Sequence, residues 1–188
     1  MKKTVLTFGL IGGAIMAAMM FATLPFLDKI GFDKGEIVGY TTMILAFMLV
    51  FFGIRSYREN VSGGQITFGR AFAVGILITL VACACYVVAW EILYFKFMPE
   101  FVEKYASYTV ERVRTSGASQ QVIDAKLQEM KTFKAMYDNP FINAAITFTE
   151  PFPIGLIVTL ISAAILRKKT TAATRDEGSA QLPVQQEN

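Results

Sequence analysis

AFAVGILITLVACACYVVAWEILY, residues Ala71–Tyr94, carries one charged side chain, Glu91, in its whole length. As a helix rising about 1.5 Å per residue it reaches about 36 Å, enough to cross a hydrocarbon core of about 30 Å. Further apolar stretches of comparable reach lie near Val5–Leu24, Ile37–Ile54 and Asn143–Leu166. Their length and spacing predict an all-α membrane protein with four transmembrane helices, whose first partner is the lipid bilayer. The composition agrees: 18% of residues are charged and 54% are apolar, against about 25% charged in a soluble domain. The chain reads as one transmembrane domain, residues 1–169, followed by a polar tail, 170–188, expected to be disordered and cytoplasmic.

Several kinds of chemistry are excluded early. There is no histidine, so Ser-His and Cys-His nucleophile schemes and the commonest metal ligand are missing. Cys83 and Cys85 lie two apart on a helix, pointing about 200° away from each other, which prevents a bond between them. They read as small buried apolar residues. Gly63-Gly64 permits a tight turn, but no Lys-Ser/Thr follows as in a phosphate loop. No cofactor, metal site, catalytic residue or nucleic-acid partner is expected, and the chain is read as not an enzyme. Lys2 and Lys3 ahead of an apolar run outline a signal peptide, but about 20 apolar residues exceed the usual 7–15. An uncleaved first helix is expected.

Charge placement sets the expected orientation. Lys2 and Lys3 precede the first span; Arg55, Arg58 and Arg70 lie between the second and third; Arg167, Lys168 and Lys169 follow the fourth. Positive residues near helix ends mark the cytoplasmic side, so both termini and the loop 55–70 are expected there. Arg55, Arg58 and Arg70 are candidate contacts for anionic lipid headgroups. The loop Asp28–Glu36 and the long segment 96–142 then face outward. Trp90 and Tyr94 are expected at the outer interface, where amphipathic rings favour the headgroup layer; Tyr40 is expected there too.

Residues 99–138 are polar but patterned. Phe101, Val102, Tyr105, Tyr108 and Val113 recur at helical spacing, Ser116-Gly117-Ala118-Ser119 interrupts, and Ile123, Leu127, Met130, Phe133 and Tyr137 resume. An extracytoplasmic helical hairpin is predicted, with Gly117 in the left-handed stop and Ser119 capping the second helix. Its stripes are expected to pack on each other, and a second reading, compatible with the first, has the hairpin dock a protein partner or the lipid surface through Ile123, Leu127, Met130 and Phe133.

Glu150 stands out within Phe148-Thr149-Glu150-Pro151-Phe152-Pro153-Ile154-Gly155. Pro151 disfavours a helical conformation before it and Pro153 removes a backbone bond. The fourth span is therefore predicted as a short piece near Phe141–Phe148 and a longer one from Pro151 to Leu166. Glu150 begins the longer piece, about 24 Å from its other end, as a helix cap, an ion or proton site, or half of a buried pair. Glu91 is a second acid near the same interface. On the first helix Gly9, Gly13 and Ala17 form a small-residue stripe that lets a neighbour approach closely.

The run Gly53-Ile54-Arg55-Ser56-Tyr57-Arg58, then Gly63-Gly64-x-Ile66-x-Phe68, Glu150-Pro151-x-Pro153-x-Gly155 and Leu166-Arg167-Lys168-Lys169 resembles a bacterial family catalogued as domain of unknown function 4199. The likeness covers residues 1–169 and implies a small four-helix protein of the bacterial inner membrane, without supplying an activity. The sequence thus leads to a non-enzymatic interaction or assembly component. Its alternative is a small transporter or channel, formed by a homo-oligomer, that uses Glu150 at the broken fourth helix.

Overall fold

The computed structural model describes residues 1–168; the predicted tail, 170–188, lies outside them. Helix α1 spans Lys2–Thr23 and runs through a 3₁₀ turn, Leu24–Phe26, into the short helix α2, Leu27–Ile30. Helix α3 is Phe32–Asn60 and α4 is Phe68–Ile92, the latter extended by a π-helical turn, Leu93–Phe97. Two shorter helices follow, α5 (Phe101–Thr115) and α6 (Gln120–Tyr137), and the chain returns through α7 (Pro140–Phe148) and α8 (Pro151–Leu166). Four of the helical runs, Lys2–Ile30, Phe32–Asn60, Phe68–Phe97 and Pro140–Leu166, are long and apolar enough to cross a membrane.

The segment Asp28–Glu36, expected as a loop, is helical except at Gly31. That glycine turns the chain alone with φ +84°, a conformation that L side chains rarely adopt. Asp28 therefore ends one helical run, while Asp33 and Glu36 open the next. The predicted break in the fourth span is present, and α8 starts at Pro151. Glu150 sits in the turn at the cap position of α8, with right-handed helical angles φ −77° and ψ −60°, and its side chain makes no cap hydrogen bond. Gly117 takes φ +77° as expected. Ser119 occupies the cap position of α6, but its hydroxyl does not bond there.

The four spans pack most tightly in the half of the bundle that carries Lys2, Arg55, Arg58 and Arg70. Gly9 and Gly13 of α1 lie against Val81 and Cys85 of α4, and Gly155 of α8 against Thr79 and Phe47. The small-residue stripe is thus used inside the bundle. Lipid tails are as apolar as leucine, so such close packing and interhelical hydrogen bonds hold membrane helices together. Thr79 and Thr159, both fully buried, share a hydrogen bond at 3.0 Å between α4 and α8. At the basic end Arg58 donates to the Leu166 carbonyl at 3.3 Å, and Ile66 pairs with Lys168 in an isolated antiparallel bridge. These bonds fasten the end of α8 to the 55–70 connection.

Candidate functional site

The buried residues of α3 begin at Met43 and continue through Phe47, Val50, Ile54 and Tyr57; none lies in its first eleven residues, Phe32–Thr42. Running that face backwards at helical spacing brings up Tyr40, Gly39, Glu36 and Asp33. These four positions line the space on that side, but the helix opposite them, α7, packs on α4 instead. The space left between is a cavity of about 610 Å³ at the α5–α6 end of the molecule. Methionines 16, 19, 20 and 43 form one side, and Tyr86, Trp90, Thr147 and Glu150 another. The lining stops at Met16, Met43 and Tyr86, above the packed half of the bundle. A shallower depression shares Asp33, Glu36, Tyr40 and Arg112 and continues onto Ile37, Thr41 and Ile44. Ile37 and Ile44 are among the exposed apolar residues of α3, so this depression faces sideways from the cavity's edge at the level of the spans.

A hydrogen-bonded network fixes the α4–α7 wall. The Tyr86 hydroxyl donates to Glu150 Oε2 at 2.8 Å. Trp90 Nε1 donates to Asn143 Oδ1 at 3.0 Å, Thr147 Oγ1 donates to the same oxygen at 3.2 Å, and Asn143 Nδ2 donates to the Tyr137 carbonyl at 3.1 Å. Asn143, Thr147 and Glu150 fall at intervals of four and three, on one face of the broken helix. Asn143 is fully buried, and a buried amide is tolerable there because its bonding capacity is used. Tyr94, two turns beyond Tyr86 on the same run, donates to Asp138 at 2.8 Å, and Lys134 holds the other Asp138 oxygen at 2.9 Å. Those two partners, Lys134 first, keep the Asp138 carboxyl below the usual carboxylate range.

Trp90 and Tyr94 thus depart from the expected lipid-interface belt: both are buried. Their polar atoms find protein partners, and their rings join Phe101 and Tyr137 in an aromatic cluster with centroids 4.9 to 6.4 Å apart. The cluster continues across α5, where Phe32 meets Tyr108 at 5.0 Å and Tyr105 at 5.6 Å. Two ion pairs tie α5 down as the roof of the cavity, Lys104–Asp28 at 2.9 Å and Arg112–Asp33 at 3.1 Å. Both are solvent-exposed, and such pairs add little to stability.

Of the residues singled out from the sequence, Glu150 lines the cavity and Glu91 does not; Glu91 Oε1 is buried with no hydrogen-bond partner among the described residues. Ile123 and Met130 are buried with Val110, against Ala106, Val113 and Phe133. Ile123 and Met130, half of the face offered for a protein partner, are therefore occupied by α5, because two amphipathic helices joined by a four-residue turn reach each other first. Leu127 stays partly exposed, and Phe133 lines the cavity. Arg55, Arg58 and Arg70 lie at the opposite end. Arg55 and Arg58 share Glu59 at 3.0 and 3.2 Å, and Arg70 is exposed. The sequence reading missed Glu36, Tyr86, Asn143 and Thr147. The available signal was periodicity: Glu36, Tyr40 and Met43 continue the buried face of α3, and Tyr86 and Trp90 that of α4.

No curated protein and no solved structure matches this chain. One family model, described as protein of unknown function (DUF4199), matches residues 7–168, which takes in all four spans and the α5–α6 pair, and the chain belongs to that family.

Proposed function

We propose that this protein is a non-enzymatic binding protein of the bacterial inner membrane that takes a hydrophobic small molecule into the cavity under α5. The observation that carries this reading is the cavity itself: about 610 Å³, walled by membrane-spanning helices, with a carboxylate beside the helix break. Small-molecule sites are typically concave, mostly apolar and about 300–1,000 Å³ in volume, with a few polar groups. The sideways-facing depression past Ile37 and Ile44 favours loading from the bilayer. The basic clusters at the other end favour a cytoplasmic location for that end and for both termini. This would put α5, α6 and the cavity in the outer half of the membrane.

Of the two functions drawn from the sequence, docking through the α6 stripe has less surface to use, because Ile123 and Met130 are packed inward and Leu127 remains exposed. Transport through Glu150 gains a chamber but not a path, since the bundle below Met43 and Tyr86 is closely packed. One copy is enough to form the cavity, so an oligomer is not required for binding. A transport cycle would need the packed half to open.

The test uses the single tryptophan, Trp90, which lines the cavity. In nanodiscs, hydrophobic small molecules of differing charge are titrated while Trp90 fluorescence is followed. At least one is expected to give a saturable change that Gly39→Leu abolishes. Gly39 lines the cavity, and a Cβ there meets nothing within 4 Å, so the leucine fills space without displacing the fold. Saturable signals left intact by Gly39→Leu would move the site elsewhere. No saturable signal from any probe would remove the binding reading.

A further inference from the structure

The cavity contains more negative charge than its own cations balance. Asp33, Glu36 and Glu150 line it together with one basic residue, Arg112. Arg112 is already committed to Asp33 at 3.1 Å. Glu36 and Glu150 take part in no ion pair among the described residues. Among the described residues the one side-chain bond to Glu150 is from the neutral Tyr86 hydroxyl, and the hydroxyl leaves the carboxylate charge uncompensated. Both carboxylates are exposed to this open space, Glu36 near the start of α3 and Glu150 at the α7–α8 break. A cleft with low-dielectric walls that is lined by one sign of charge raises the local concentration of the opposite sign, so the two carboxylates favour a positive charge between them.

The rest of the lining restricts what that cation can be. Tyr40, Tyr86, Trp90 and Tyr105 present rings, and four methionines present soft, adaptable surface. Aromatic faces attract organic cations, and methionine surfaces accept varied apolar shapes. A bare metal ion would leave most of about 610 Å³ unfilled. Resting on the binding function above, we infer that the ligand is a monovalent hydrophobic organic cation, its charge held between Glu36 and Glu150 and its apolar body among the methionines and rings.

The experiment compares tetraphenylphosphonium with tetraphenylborate, ions of nearly the same shape and opposite charge. The full-length protein is placed in nanodiscs of zwitterionic lipid, and protein-free nanodiscs correct for partitioning. The phosphonium is expected to give a saturable Trp90 signal. Glu36→Gln and Glu150→Gln should each weaken its binding by about tenfold, through loss of one of the two carboxylates that face the bound cation. The borate should bind at least about tenfold more weakly than the phosphonium in the wild type. Among the described residues Glu36 has no side-chain hydrogen bond to lose, so its variant keeps the test open if Glu150→Gln misfolds; circular dichroism reports folding in both. Equal binding of the two ions, or phosphonium binding unchanged in both Gln variants, would overturn the charge assignment and leave cavity binding standing. If neither these ions nor neutral probes gave a Gly39→Leu-sensitive signal, the cavity reading itself would fail, and this inference with it.

Discussion

Replacing Asn143 with leucine tests the wall that holds Glu150 in place. The amide is fully buried, and three hydrogen bonds converge on it, from Trp90 at 3.0 Å, from Thr147 at 3.2 Å and to the Tyr137 carbonyl at 3.1 Å. Leucine has nearly the same shape but leaves the indole N–H and that carbonyl without this partner. Thr147 can still turn to the Tyr137 hydroxyl, 3.4 Å away. Two groups left unpaired at about 1–3 kcal/mol each give an upper range of about 2–6 kcal/mol. Side-chain hydrogen bonds in membrane proteins average nearer 0.6 kcal/mol, with about 1.7 as the largest. The shared amide places this one toward the top of that scale, so about 2–4 kcal/mol is expected for Asn143→Leu. A double-mutant cycle with Trp90→Phe isolates the pair, and its coupling should be about 1–2 kcal/mol. The assay is reversible unfolding in mixed dodecyl sulfate micelles, followed by circular dichroism because the cycle removes the only tryptophan. Coupling below about 0.5 kcal/mol would refute the view that the network, rather than ring packing alone, fixes α7 on α4.

Three further outcomes are expected. Gly155→Ala should destabilise by about 1–3 kcal/mol, because its Cβ would collide with Thr79 and Phe47; Gly39→Ala should be neutral or stabilise by up to about 1 kcal/mol through helix propensity, and matching unfolding curves for the two would contradict the packing described. Lys134 and Tyr94 lower the folded-state pKa of Asp138, so its contribution is fully present above the unfolded value of about 3.9 and is lost as pH falls through the folded value. Thermal melts from pH 7 down to pH 3 should therefore show an acid-dependent loss of stability that is smaller in Asp138→Asn, and identical acid profiles would contradict it. In a background with Cys83 and Cys85 replaced by alanine, Ser119→Cys should react with an impermeant maleimide in intact cells and Gly64→Cys only after permeabilisation; the reverse pattern would invert the inferred orientation.

Much of the architecture was legible from local features. Ala71–Tyr94 could only be a spanning helix, and Pro151 and Pro153 foretold the two-piece fourth span that places Glu150 at its break. Gly117 foretold the stop between α5 and α6. Asp28–Glu36 was less legible, because the charges there suggested a loop while one glycine was enough to turn the chain. Trp90 and Tyr94 were misplaced for a different reason. An amphipathic ring near a helix end suits the lipid interface and suits a buried hydrogen bond equally well, and only Asn143 and Asp138, 53 and 44 residues away, decide between them.

The sequence by itself determined the spans, the broken fourth helix and the basic end, because hydropathy, proline stereochemistry and charge act over a few residues. Only the tertiary structure decided that Ile123 and Met130 on α6 are occupied by α5, and that Glu36 and Glu150 share one space. The cavity exists because the first eleven residues of α3 stand away from α7 while α7 leans on α4. That is a distance between elements more than a hundred residues apart, and it is set by how whole helices pack rather than by any local preference of the chain.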